Sequence, residues 1–374
     1  MSNWQVAFQL LLVFGVAFGA ALLCVPLAAA VGMAVGGTLV DRPRPGEVQR
    51  RPISRVGGYG LVAAFFLGLV AGLPLLNAAS DRFLAEGNLI GLHAVLTEYR
   101  KWAGLALGAA LLLPFAAWDD ARRLPPLPQL LAQIGCAAIP IAFGVRLTSI
   151  SNPLPFGNDP LNLGIFVVPV TLLWIVGMIN TMNWLDTMDG LAGGVALISA
   201  AVLVAASLLK RTNFMERQYT VAVLPLALAG ACLGFLVFNF PPARIFMGTS
   251  GSMFLGYALG VISIIGGAKI ATAVLVLGLP ILDTALVIVR RIAGGRSPLQ
   301  GGDGAHLVHR LLAAGLKVRQ IALLVYAVTA LLGALSVVFV REQRIIAFAA
   351  LIVVIGTVLL YVQWNAKSDR RETK

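Results

Sequence analysis

Asp119 and Asp120 stand side by side in the run Trp118-Asp119-Asp120-Ala121-Arg122-Arg123-Leu124-Pro125-Pro126, at the end of an apolar stretch. Two carboxylates at a helix C-terminus face the negative end of the helix dipole, so capping of their own helix does not account for them. One reading is a pair neutralised by Arg122 and Arg123 at headgroup level. The sharper one is a carboxylate pair that binds a divalent cation or serves as a base, because Mg²⁺ takes oxygen ligands and keeps substrate phosphates in its shell. A second run, Asn180 to Gly190, sets Asn180, Asn183, Asp186 and Asp189 three residues apart. Each step of three drifts by about 60° around a helix, so the two asparagines can share a face while the two aspartates fall on the turn beyond it. Asp189 alone could N-cap the following helix. Asn180, Asn183 and Asp186 together are expensive to keep near hydrocarbon without a ligand.

Two further loops carry polar chemistry. Phe238 to Ser252 contains Pro241, Pro242, Arg244, Gly248, Thr249 and Gly251. Its glycines let backbone N–H groups turn toward an anion where the next helix begins, and a plain hydroxylated turn is the alternative. In the run Gly301 to Leu312, a helix starting at Ala305 places His306, His309 and Arg310 on one face, with Asp303 just ahead. That face suits a phosphate or pyrophosphate. Zinc lacks an evident third ligand there. Asp283, inside an apolar run, is expected to pair with a basic residue or a hydroxyl of a neighbour.

The elements that must hold these loops are membrane helices. Charged residues make up 12% of the 374, hydrophobic ones 59%, and mean hydropathy is +0.90. A soluble domain carries about 25% charge, so this chain has too little polar surface for a water-exposed globule. Apolar runs long enough to cross a bilayer lie near 8–36, 57–76, 102–118, 129–147, 163–182, 190–209, 219–238, 252–267, 270–289, 320–340 and 345–364. The expected fold is therefore an all-α integral membrane protein, a polytopic bundle of about eleven transmembrane helices forming one domain over 1–374. Its first run is read as a retained helix. The long loop 290–319 is expected to contribute to the site.

The net charge of +12 reports topology before it reports partners. Odd-numbered loops and the C-terminal tail hold 18 of the 28 basic residues, which places them in the cytoplasm, with the N-terminus outside. The cluster Lys210, Arg211 and Arg217 runs against this assignment. A nucleic-acid partner is excluded on the same ground. Cys24, Cys136 and Cys232 lie in apolar runs without metal spacing and read as buried hydrophobes.

Five motifs in order resemble the polyprenyl-phosphate N-acetylhexosamine-1-phosphate transferases. They are Asp41-Arg42-Pro43 through Arg55-Val56-Gly57-Gly58, Asp119-Asp120 with Leu124-Pro125-Pro126 and Gln133, Asn180 to Gly194, Phe238 to Ser252, and Asp303 through His306 and His309 to Arg310. The resemblance covers about residues 41–312. It implies transfer of a sugar 1-phosphate from a UDP-N-acetylhexosamine to undecaprenyl or another polyprenyl phosphate, releasing UMP. It further implies a Mg²⁺ cofactor, replaceable by Mn²⁺, and an inner (plasma) membrane location with the site facing the cytoplasm. A homodimer is a further expectation.

In these terms Asp119, Asp120, Asp186 and Asp189 are the candidate catalytic residues, with Asp119 or Asp120 orienting or deprotonating the lipid phosphate. Asn180, Asn183, Arg244, Asp303, His306, His309 and Arg310 are the candidate substrate ligands. Asn183, Asp186 and position 249 are the candidate metal site. The family has Asp at 249 where this chain has Thr249, a weaker ligand for Mg²⁺. That departure motivates the alternative of a silent binding or assembly subunit. A secondary transporter would need acids and broken helices at mid-span. The separated His306 and His309 resemble the UDP-GlcNAc branch more than the phospho-MurNAc-pentapeptide branch, which carries three consecutive histidines.

Overall fold

A computed structural model describes residues 3–43, 51–85, 89–122, 124–150, 160–208, 215–266, 270–295, 297 and 306–339, with positions 343, 346, 349 and 350 beyond. Long apolar helices dominate, as the absence of water in a bilayer requires: every backbone polar group must be satisfied within its own segment. They are α1 (Asn3–Val35), α2 (Gly57–Ala85), α3 (Leu89–Arg122), α4 (Pro126–Ala142), α5 (Val167–Leu185), α6 (Leu191–Leu208), α7 (Met215–Asn239) and α8 (Gly248–Ile265). After them come the short α9 (Ile270–Val276), α10 (Gly278–Ala293), the short α11 (Leu307–Ala313) and α12 (Val318–Val338). Prolines at 26, 74 and 114 sit inside α1, α2 and α3 without ending them.

Among the described residues, eight helices are long and apolar enough to cross a membrane, and α9 with α10 makes a ninth if that pair, bent by 75°, is one span. Ten of the eleven expected runs thus fall on helices, with two amendments. The fourth run holds a helix of only 17 residues, because the chain leaves α4 at Phe143 and turns through Gly144 with φ 93°. The ninth run is two helices broken at Leu277. The eleventh, 345–364, lies almost wholly outside the described residues.

α8 is the centre of the bundle. Of its spanning window 89% is buried, against 28% for α1, whose Leu11, Leu23 and Leu27 face outward. Small residues allow this: a Cβ on Gly256 would lie 2.2 Å from the Met178 carbonyl oxygen, so α5 and α8 touch backbone to backbone. α1 packs on α2 and α7, α6 on α7 and α12, and α3 on α4 and α8. A hairpin of two-residue strands pairs β1 (Val40–Asp41) with β2 (Ile53–Ser54), antiparallel, with Val40 opposite Ser54. A second pairs β3 (Ser149–Ile150) with β4 (Leu161–Asn162).

Candidate active site

The hairpin β1–β2 is stitched to the loop between α7 and α8, and this seam builds the site. Phe246 N donates to Ser54 O (2.9 Å), Gly57 N to Phe246 O (3.1 Å) and Gly58 N to Met247 O (2.9 Å). At Gly248 the chain turns with φ 71°, and a Cβ there would meet the Arg55 carbonyl oxygen at 2.1 Å. Only glycine lets the two backbones approach so closely.

The first turn of α8 then points its free N–H groups at Asp120. Thr249 N donates to Asp120 Oδ1 (2.9 Å) and Ser250 N to Asp120 Oδ2 (3.4 Å). Asp120 sits at the C-terminal end of α3, yet it caps the N-terminus of α8, where the dipole favours a carboxylate. Capping thus does explain this acid, through a helix remote in sequence. The anion expected at Gly248–Gly251 is likewise present and is the protein's own. Asp119 behaves differently. Its Oδ1 accepts from Leu124 N (2.8 Å), bracing the turn into α4, and it lines neither cavity described below. The adjacent acids are thus held by different partners, and Arg123 lies outside the described residues.

The run after α5 divides in the same way. Asn180 is held inside the bundle by Gln133, donating from Nδ2 to Gln133 Oε1 (2.6 Å) and to Val176 O (2.9 Å). Asn183, nearly one turn on, accepts from Ser252 Oγ (2.9 Å) and faces the site. Asp189 does not cap α6; its Oδ2 accepts from Ala243 N (2.9 Å) and ties the α7–α8 loop to the α5–α6 turn. Asn239 reinforces this tie, accepting from Gly190 N and donating to Ile245 O, both at 2.9 Å.

Asp186, the C-cap residue of α5, has no hydrogen bond to its carboxylate among the described residues. Burial first, and then the charges of Asp120 and Asp189, push its pKa up to about 7 against the opposing pull of Arg55. It lines a cavity of ≈ 380 Å³ with Asp41, Arg55, Asn183, Asp189, Thr249 and Ser252. A second cavity of ≈ 580 Å³ lies beside it, bounded by Asp41, Arg42, Arg55, Asp120 and Arg122. Arg244 is exposed and lines neither.

The loop that follows α10 differs most from expectation. α11 begins at Leu307, and His306 precedes it in extended conformation (φ −65°, ψ 147°), so His306, His309 and Arg310 do not form one helical face. His306 Nδ1 instead meets Asp283 Oδ2 at 2.8 Å, while Leu307 N donates to Asp283 Oδ1 at 2.8 Å. Asp283 has the partner expected of it, and the partner is one of the candidate ligands. Trp184 lies against His306 (ring centroids 6.2 Å apart) and beneath Arg291 (5.3 Å), which links this cluster to the residue after Asn183. His309 is half-buried, Arg310 engages neighbours of its own, and neither lines the two cavities. Asp303 lies outside the described residues.

Asp41, Arg55, Ser252 and Asn239 are the site residues missed as such in the sequence. The motif containing Asp41 and Arg55 was legible, but their place on the cavity wall follows from the hairpin seam, which two-residue strands do not announce.

The donors present suit a hard divalent cation. Asp186, Asn183 and the Thr249 hydroxyl offer oxygen ligands of the kind Mg²⁺ uses when one or two carboxylates and substrate phosphates hold it. No group of three His, Cys, Asp or Glu side chains forms a metal cage among the described residues. Such a set would hold an ion together with its substrate more readily than alone.

A helical membrane bundle whose loops converge on an open, acid-lined cavity defines a multi-pass membrane protein built to handle charged groups at one end. Its similarities make that class specific. Residues 102–267 match the family model described as Glycosyl transferase family 4. The chain is 32% identical to a probable undecaprenyl-phosphate N-acetylglucosaminyl 1-phosphate transferase of Bacillus subtilis, over 86% of this chain and 82% of that protein. It is 32% identical to the decaprenyl-phosphate N-acetylglucosaminephosphotransferase of Mycolicibacterium smegmatis, over 86% and 81% respectively. A phospho-N-acetylmuramoyl-pentapeptide-transferase of Clostridioides difficile is 43% identical, but over 33% of this chain and 40% of that protein. The chain belongs to the polyprenyl-phosphate N-acetylhexosamine-1-phosphate transferase family of glycosyl transferases.

Proposed function

We propose that this protein transfers a sugar 1-phosphate, GlcNAc-1-phosphate, from a UDP-N-acetylhexosamine to a polyprenyl phosphate in the membrane. An acceptor phosphate oxygen attacks the β-phosphorus of the UDP-sugar, the bond from that phosphorus to the UMP oxygen breaks, and UMP leaves. The observation that carries this reading is the cavity between the hairpin seam and the α5–α6 turn. There an uncommitted carboxylate, Asp186, stands with Asn183, Thr249 and the guanidinium of Arg55. Two anions must meet for the reaction, and such a site supplies the cation and the oxygen ligands their approach demands. Similarity along most of the chain to two N-acetylglucosamine-phosphate transferases supports the choice of sugar.

Mg²⁺, held by Asp186, Asn183 and the Thr249 hydroxyl, would supply charge neutralisation at the phosphates. Asp120 keeps the first turn of α8 in place beside them. Asp189 fixes the turn that aims Asp186. The basic excess of the loops that form the cavity supports a cytoplasmic site with the N-terminus outside.

The deciding experiment measures UMP release by the purified protein with UDP-GlcNAc, polyprenyl phosphate and Mg²⁺, beside the Thr249→Asp variant. Turnover by the native chain is expected, with a higher rate in the variant. Turnover in the variant alone would overturn the activity for this chain. Silence of both across several UDP-sugars would leave a binding or assembly subunit, the reading that Thr249 favours.

A further inference from the structure

Among the described residues, Arg55 is the one cationic side chain that lines both cavities, and the way it is mounted gives that position meaning. Its backbone is fixed on two sides. Arg55 N donates to Leu39 O (2.9 Å), the neighbouring Ser54 and Gly57 are hydrogen-bonded to Phe246, and its own carbonyl abuts Gly248. The side chain leaves from a point that cannot drift. Its charge acts on Asp120, which borders the larger cavity, and on Asp186, which borders the smaller one. Yet among the described residues the guanidinium has neither a salt bridge nor a hydrogen bond that would close it off from a ligand. A planar group with five N–H donors, set between two chambers, matches two phosphates better than one.

We infer that Arg55 bridges the phosphates of the two substrates, donating N–H bonds to the pyrophosphate of the sugar nucleotide in the ≈ 380 Å³ cavity and to the phosphomonoester of the lipid acceptor in the ≈ 580 Å³ cavity. This rests on the transferase reading and adds to it a seat for each phosphate. No proton moves at Arg55. It holds the attacking oxygen and the phosphorus under attack within reach, and it offsets the negative charge that accumulates as the new P–O bond forms and the bond to UMP breaks. Arg42 and Arg122 flank the acceptor side, which gives the second chamber three guanidinium groups facing two carboxylates.

The test uses the full chain in lipid nanodiscs and two separate titrations, one with UMP and one with farnesyl phosphate, on native protein, Arg55→Gln and Arg55→Lys. Native protein is expected to bind both ligands. Arg55→Gln should weaken each by 10-fold or more, on the order of what a lost charge-assisted hydrogen bond costs, while leaving Tm within a few degrees. Arg55→Lys should recover part of both affinities, because a point charge remains but the fork does not. In turnover assays Arg55→Gln should raise KM for both substrates and lower kcat. Weakening of only one ligand, or an unchanged affinity for both, overturns the bridge and leaves the transferase reading intact. Native protein that binds neither ligand defeats the transferase reading and the bridge with it.

Discussion

The surroundings of the α5–α6 turn and the α10–α11 corner both engage aspartates, and they treat them in opposite ways. Around the turn, backbone N–H groups hold two acids: Asp120, reaching in from the end of α3, accepts from Thr249 N and Ser250 N, and Asp189 accepts from Ala243 N. The third, Asp186, accepts no hydrogen bond among the described residues, and burial raises its pKa to about 7. At the corner one acid lies among the described residues, Asp283, and it holds an imidazole and an amide at once. A carboxylate fixed by its own protein's amides has lost much of its reach toward a ligand. The acid fit for chemistry is therefore the one left unsatisfied, and that is one of the four candidate catalytic aspartates rather than all of them.

Asp186 is where this contrast has its greatest consequence. Asp186→Asn should lower kcat by about 10³-fold, the scale of losing one preorganised electrostatic group at a reacting centre, while raising Tm. The rise follows from the sign of the shift. A carboxyl whose folded pKa lies above its unfolded value stabilises the fold fully at pH below the ordinary carboxylate range, and that contribution is lost as pH climbs to about 7. The Tm advantage of the variant over native protein, measured without divalent cation, should therefore grow between pH 4 and pH 7 and then level off. Saturating Mg²⁺ should stabilise native protein above pH 7, have little effect near pH 5, and do nothing for the variant. A Tm difference that does not change with pH would break the contrast between the satisfied and the unsatisfied acids.

Asp120→Asn should come next, with a different signature. An amide cannot accept both N–H bonds with a carboxylate's strength, so the start of α8 loses its cap, worth about 1–2 kcal/mol. Activity and Tm should fall together, by about 10²-fold and several degrees. If Asp120→Asn loses activity with Tm unchanged, Asp120 contacts substrate or metal directly and the division drawn above moves by one residue.

How much of this was legible beforehand follows the same line between local and remote partners. Spans showed clearly because hydrophobic length is a property of one segment, and ten expected runs are helices. The short α4 and the break at Leu277 escaped because each depends on what the chain packs against afterwards. The motifs carried the right residues, Asn183, Asp186 and Asp120 among them, because polar atoms next to hydrocarbon are costly wherever they lie. Their division of labour stayed hidden. Nothing local to Asp119 and Asp120 says that one braces the α4 turn and the other caps a helix beginning 128 residues later. Nor does the spacing of His306, His309 and Arg310 reveal that Asp283 draws His306 out of the helix. Thr249 is the exception in the other direction: its departure from the family is legible in sequence, while in the structure its hydroxyl joins its backbone N–H in holding Asp120.

At the α10–α11 corner, Asp283→Ala should cost about 10- to 100-fold in activity, the range seen when the partner that orients a functional histidine is removed. With Asp283 accepting from Nδ1–H, His306 is held in the tautomer whose Nε2 is free. The variant should therefore shift the ring-nitrogen resonances of His306 toward a mixture of tautomers. Asp283→Asn keeps one acceptor oxygen for two donors and should fall between the variant and native protein. Resonances that stay in place while activity drops would mean that Asp283 acts on the start of α11 alone.

The weakest response is expected where α12 reaches the turn. Tyr326 donates its hydroxyl to Gly190 O at 2.5 Å, on the far side of the peptide whose neighbouring N–H goes to Asn239. Gly190 follows Asp189 directly, so this tyrosine steadies the frame from which Asp186 projects without touching the cavity. Tyr326→Phe removes the hydroxyl but keeps the ring, and a neutral hydrogen bond of this kind contributes about 1 kcal/mol. A fall in Tm of a few degrees is expected, with kcat reduced less than 5-fold and KM unchanged, since the two remaining ties through Asp189 and Asn239 hold the turn. A loss approaching that of Asp186→Asn would mean that the frame, and not the unsatisfied carboxylate, limits the reaction.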